Sequence, residues 1–119
     1  MLTTAALITL ALAGGSQDPA SGVQIVKPVD GVRGGKVTVG VDIDNAKSTA
    51  ARKARPAVVA KVVRTLVDEG AQMPMKVSGY RCTPTVSGPN GVKVAWVCVY
   101  RGGEPRTRVE LDFHYRLTA

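Results

Sequence analysis

The chain has 119 residues, with 16 lysines and arginines against 9 aspartates and glutamates, and a formal net charge of +7. That length supports one domain, and the charge favours anionic partners: nucleic acid, acidic polysaccharide, cell-wall polymer or anionic lipid. Two cysteines separated by fifteen residues fit no zinc or thioredoxin spacing, both of which need closely spaced pairs.

Residues 1–13, Met-Leu-Thr-Thr-Ala-Ala-Leu-Ile-Thr-Leu-Ala-Leu-Ala, are apolar and uncharged. The run is too short to span a membrane and ends in an Ala-x-Ala cleavage pattern, as in a secretory signal peptide. Its n-region lacks Lys and Arg. We therefore expect export to a periplasmic or extracellular compartment and no transmembrane span once the signal is removed. Residues 14–22 read as a flexible linker of small residues, and 23–119 as a single α+β domain.

Val23 to Lys27 is a short β-branched run ending at Pro28. Val37, Val39, Val41 and Ile43 then alternate with Thr38, Gly40, Asp42 and Asp44, the pattern of a strand with one buried face. The two runs are expected to form a hairpin, with the second joining the sheet edge. Asp42 and Asp44 are read as the polar half of that strand, Asp44 or Asn45 capping the helix that follows.

Ala46 to Glu69 is the helical stretch. Ala51, Ala54, Val58, Val62 and Leu66 share a face flanked by Val59 and Val63, and Gly70 ends it. Pro56 stands inside this pattern. It implies either one kinked helix over 46–69 or a short helical piece ahead of a helix that begins at Pro56. We expect the bent, continuous helix. The basic run Lys47, Arg52, Lys53 and Arg55 lacks the aromatics that stack on bases, and no nucleic-acid-binding motif is present.

Met75 to Leu117 reads as a three-stranded antiparallel meander. Opposing Cys82 to Cys98 puts the centre of the first turn at Asn90, within Ser87-Gly88-Pro89-Asn90-Gly91, where turn chemistry belongs. A second turn centred on Gly103 and Glu104 opposes Cys98 to Val109, Trp96 to Leu111 and Val94 to Phe113. Both hairpins then gather Tyr80, Cys82, Val86, Val94, Trp96, Cys98, Tyr100, Val109, Leu111, Phe113 and Tyr115 on one face. Cys82 and Cys98 are expected to form a disulfide, contributing about 3 kcal/mol in the chain-entropy model. The opposite face carries Arg81, Lys93, Arg101, Arg106 and Arg108 around an aliphatic stripe on the middle strand. With the Ser87, Gly88, Pro89 and Asn90 turn, these basic residues are the candidate binding surface. His114, between Asp112 and Arg116 on that face, is read as a surface strand residue. The sequence places no nucleophile beside it, so no catalytic residue, metal ligand set or cofactor site is assigned.

The expected architecture is α+β: the meander plus an N-terminal strand or hairpin, packed on one long, Pro-kinked helix. This order of elements resembles the cystatin-like architecture and, more loosely, NTF2-like domains. A cystatin's inhibitory hairpin carries Gln-x-Val-x-Gly. Pro84-Thr85-Val86-Ser87-Gly88 occupies the matching hairpin here, with Pro84 where the glutamine stands. The first resemblance implies a protease inhibitor working through the 84–91 loop. The second implies an enzyme with a polar pocket between helix and sheet. The residues themselves favour a secreted, non-enzymatic module that docks a protein or an anionic surface polymer.

Overall fold

The structure, a computed structural model, describes residues 22–70, 72–89 and 92–117. The expected signal peptide, the linker up to residue 21, and Asn90 lie outside the described residues. Gly22, expected in the linker, is the first residue of a strand.

Six strands form one antiparallel sheet. They are β1 (Gly22–Val26), β2 (Val37–Ile43), β3 (Met75–Val77), β4 (Tyr80–Ser87), β5 (Lys93–Gly102) and β6 (Thr107–Arg116), in the order β1-β2-β6-β5-β4-β3. β1 and β2 make the expected hairpin. β2 then pairs with β6, so the N-terminal hairpin extends the meander and β1 becomes the edge.

The first meander register is as expected, with Cys82 opposite Cys98 and Val86 opposite Val94. The two cysteines are bonded, their Cα atoms 4.0 Å apart. The second hairpin is shifted by two residues from the expected pairing: Trp96 opposes Phe113, Cys98 opposes Leu111 and Tyr100 opposes Val109. Pro105 explains the shift. It has no amide hydrogen to give a ladder, so pairing closes at Gly102 and Thr107 and leaves Gly103 to Arg106 as the turn. A two-residue shift preserves the faces, because side chains alternate with period two. Gly103 has φ +85°, and a Cβ there would collide with Ser48 Oγ and lie 2.7 Å from Ala50 N. The turn is thus pressed against the segment after β2, to which Thr49 Oγ1 ties it by accepting from Glu104 N at 2.9 Å.

The single kinked helix is corrected. A 3-10 helix covers Thr49–Ala54, Arg55 is extended, and a separate helix α1 runs over Pro56–Glu69 with Pro56 in its first turn. The residue before a proline is driven out of helical geometry, and a proline costs least where its missing N–H has no intrahelical partner. Ser48, not Asp44 or Asn45, caps the 3-10 helix, its Oγ accepting from Ala50 N at 3.1 Å. Asn45 instead accepts from Lys47 N in a local turn. Gly70 ends α1 in the left-handed conformation, as expected.

Val59, Val62, Val63, Leu66 and Val67 form the buried stripe of α1. The stripe is rotated slightly from expectation, leaving Val58 half-buried. It packs in one core with Val39, Val41, Tyr80, Cys82, Val94, Trp96, Cys98, Val109, Leu111 and Phe113. The expected inner face is therefore buried, except that Val86 is 36% exposed and Tyr100 half-buried. The polar tips of two large buried side chains find partners, whereas the buried Gln24 Oε1 has none among the described residues. Trp96 Nε1 donates to Tyr115 Oη at 3.0 Å, and Tyr80 Oη donates to Lys53 O at 2.7 Å. Burial, then the nearby Tyr100, pushes the Tyr80 hydroxyl above the ordinary phenol range.

Candidate docking surface on the outer sheet face

The face turned away from α1 is ordered by the same ladders. One row across the sheet reads Lys76, Arg81, Val99, Glu110, Asp42, from β3 to β2. It runs from basic through aliphatic to acidic. The next row, through Thr83, Val97, Asp112 and Gly40, ends beside Val23 of β1. Val23 and Ile25 are exposed at that edge.

The basic end is a depression of about 530 Å³, lined by Lys76, Gly79, Arg81, Thr83, Val97, Val99 and Arg101. Its geometry starts from a local signal, Ser78-Gly79. Both residues have positive φ, 52° and 87°, as a two-residue hairpin turn of the primed type requires. That turn folds β3 back onto β4 and brings Lys76 opposite Arg81. The turn is held from the inner side: Lys53 Nζ donates to Ser78 O at 3.0 Å and sits 5.1 Å from the Tyr100 ring centroid. Lys53, part of the basic run considered for nucleic acid, is thus committed to structure. The side chains of Lys76, Arg81 and Arg101 have no ion-pair or hydrogen-bond partner among the described residues, and no carboxylate among them lines the depression. Like charges placed opposite each other, as Lys76 and Arg81 are, cost stability unless a counter-charge joins them.

Of the basic residues expected on this surface, Arg81 and Arg101 come together here. Arg106 sits exposed in the β5–β6 turn. Arg108 opposes Arg101 but is engaged by Glu110 in an ion pair. Lys93 is at the far end of β5, about 26 Å from Arg101 at the usual strand rise, where it opposes Ser87 and Arg116. Ser87, Gly88 and Pro89 are exposed at the same far end. The structure therefore divides the expected residues between two ends of one face.

The sequence reading missed Lys76, whose signal was the Ser-Gly turn between two alternating runs. It also missed a second depression, of about 300 Å³, lined by Val32, Arg33, Lys36, Val37, Thr38, His114, Tyr115 and Arg116. Arg33 reaches it through the β1–β2 connection, whose backbone is bonded to β6 (Arg33 N to Arg116 O, 2.9 Å).

Between these basic ends, β6 and β2 carry acids. Asp112 is raised to about 6, by partial burial first and then by the hydrogen bond and charge of Glu110; Asp42 adds to the rise and Arg108 opposes it. Among the described residues no group of three His, Cys, Asp or Glu is placed to hold a metal ion, and no helix is long and apolar enough to cross a membrane. Comparison with protein-family models, with curated proteins and with solved structures finds no match for this chain. The cystatin-like and NTF2-like resemblances therefore stand on element order alone.

Proposed function

We propose that this chain is a small secreted, non-enzymatic binding module that docks an anionic partner, a surface polymer or an acidic protein patch, on its outer sheet face. One observation carries the reading: three cations whose side chains have no partner among the described residues converge on an aliphatic floor, Val97 and Val99, in a depression lined by no acid among those residues. Val97, turned outward by the alternation that buries Trp96 and Cys98, is 45% exposed at its centre. The disulfide supports export, because such bonds persist in oxidising compartments. The interior between helix and sheet is aliphatic and aromatic, which favours a packed core over an NTF2-like catalytic pocket.

Retention on immobilised heparin, eluted with salt, tests the reading. Wild-type protein should elute above physiological salt, and Lys76→Ala with Arg81→Ala should lower the salt dependence by about two counterions. Elution of wild type below physiological salt contradicts the reading.

The inhibitor reading draws on the exposed Ser87, Gly88 and Pro89 tip. It expects inhibition of a papain-like or serine protease at micromolar protein, and a panel left uninhibited removes it.

A further inference from the structure

We infer that the partner of the outer face is a linear acidic glycan, held at two cationic ends and laid along an uncharged lane between them. The inference rests on the docking role proposed above and names its partner.

The lane is formed by β4 and β5. Outward along β5 come Lys93, Ala95, Val97, Val99 and Arg101; beside them on β4 come Ser87, Thr85, Thr83 and Arg81. Cations stand at both ends, and the middle offers methyl groups on one strand and threonine hydroxyls on the other. No carboxylate lies on either strand. The acids of this face, Asp42, Glu110 and Asp112, stay on β2 and β6 to one side. At one end Lys76 joins Arg81 and Arg101. At the other, Lys93 directly opposes Arg116, and Arg33 and Lys36 complete the cluster around the second depression. Both ends hold like charges in direct opposition, an arrangement that an anion relieves.

Three features select the partner's chemistry. The two ends are about 26 Å apart along an extended strand, beyond the reach of a single phosphate or carboxylate. An extended polymer reaches both, and the second contact is then intramolecular, which raises affinity by one or more orders of magnitude without new chemistry. The lane's hydroxyls and methyls match the hydroxyl-bearing, partly apolar faces of sugar rings. No phenylalanine, tyrosine or tryptophan is on the outer face: Trp96, Phe113, Tyr80 and Tyr115 are all buried on the inner side and Tyr100 shares that face, leaving the lone His114, opposite Ala95, as the one aromatic ring there and no platform for successive bases. Single-stranded nucleic acid is bound by stacking bases on such residues, so a glycan is favoured over it.

The test is a length series of heparin oligosaccharides, titrated calorimetrically into the full chain. Affinity should rise at least tenfold once the oligosaccharide exceeds about 26 Å, and single-stranded DNA of equal length and charge should bind at least tenfold more weakly. Lys36→Ala with Arg116→Ala should abolish the step while leaving the shortest binding oligosaccharide unaffected. Lys47→Ala with Lys61→Ala, away from the lane, should change neither. A smooth rise with length, or end variants that behave like the Lys47/Lys61 pair, overturns the two-ended lane. DNA binding equal to glycan binding overturns the glycan assignment. If short oligosaccharides still bind through Lys76 and Arg81, the docking role survives the loss of the lane; if no oligosaccharide binds at any length, both fall.

Discussion

The two faces of the sheet are built from the same strands with the same alternation, yet they carry opposite kinds of information. The inner face is dense: Trp96, Tyr80, Leu111 and the cysteines are buried, and their polar tips are satisfied internally. The outer face is open. It places charges in direct opposition, leaves three cationic side chains without partners among the described residues, and exposes a valine at its centre. Packing explains most inner positions, Val86, Tyr100 and the unpartnered Gln24 Oε1 being the exceptions among the described residues. On the outer face packing explains few, and that contrast is the ground for the docking role proposed above.

Substitutions on the two faces should separate accordingly. The largest effect belongs to Trp96→Ala, which opens a cavity in the core and leaves the Tyr115 hydroxyl without its donor. It should cost about 3–5 kcal/mol in urea unfolding, and a loss under 1 kcal/mol would mean the inner face is not the core. Replacing both Cys82 and Cys98 by alanine should cost about 3 kcal/mol and keep the fold. An unchanged melting temperature with a native circular dichroism spectrum would remove the energetic role of the bond.

The smallest effect is on the outer face and depends on pH. The folded-state pKa of Asp112 is raised to about 6, so its protonated form is favoured by folding. The associated stability is fully present below the ordinary carboxylate range and is lost as pH rises through about 6. Asp112→Asn should therefore flatten the melting profile between about pH 4 and 6 and raise the melting temperature above pH 6 by about 1–3 °C. Superimposable profiles for wild type and variant would show that the acids of β6 and β2 do not interact as described.

How much of this was legible in the sequence follows the same division. Tyr80, Trp96 and Phe113 could be assigned to the inner face because burial enforces period two, and a slip of two residues at Pro105 leaves that parity intact. The α1 start was ambiguous because Pro56 fits either a kink or a first turn; tertiary contacts of the 3-10 helix with the β5–β6 turn select the second. The site was legible only in part. Arg81 and Arg101 could be placed on the correct face, but bringing Lys76 beside them needed β3, a strand of three residues whose period is too short to stand out. Lys36 and Arg116 come together only through the β2–β6 pairing, a contact between residues eighty apart that no local pattern announces.

The central claim is that the outer face of the sheet, and not the helix side, receives an anionic partner. Amide chemical shifts of nitrogen-15-labelled protein, followed while a heparin oligosaccharide is added at physiological salt, test it most directly. The account predicts the largest changes at Lys76, Gly79, Arg81, Val97, Val99 and Arg101. Changes concentrated instead on Lys61, Arg64 and Asp68 of α1 would contradict it.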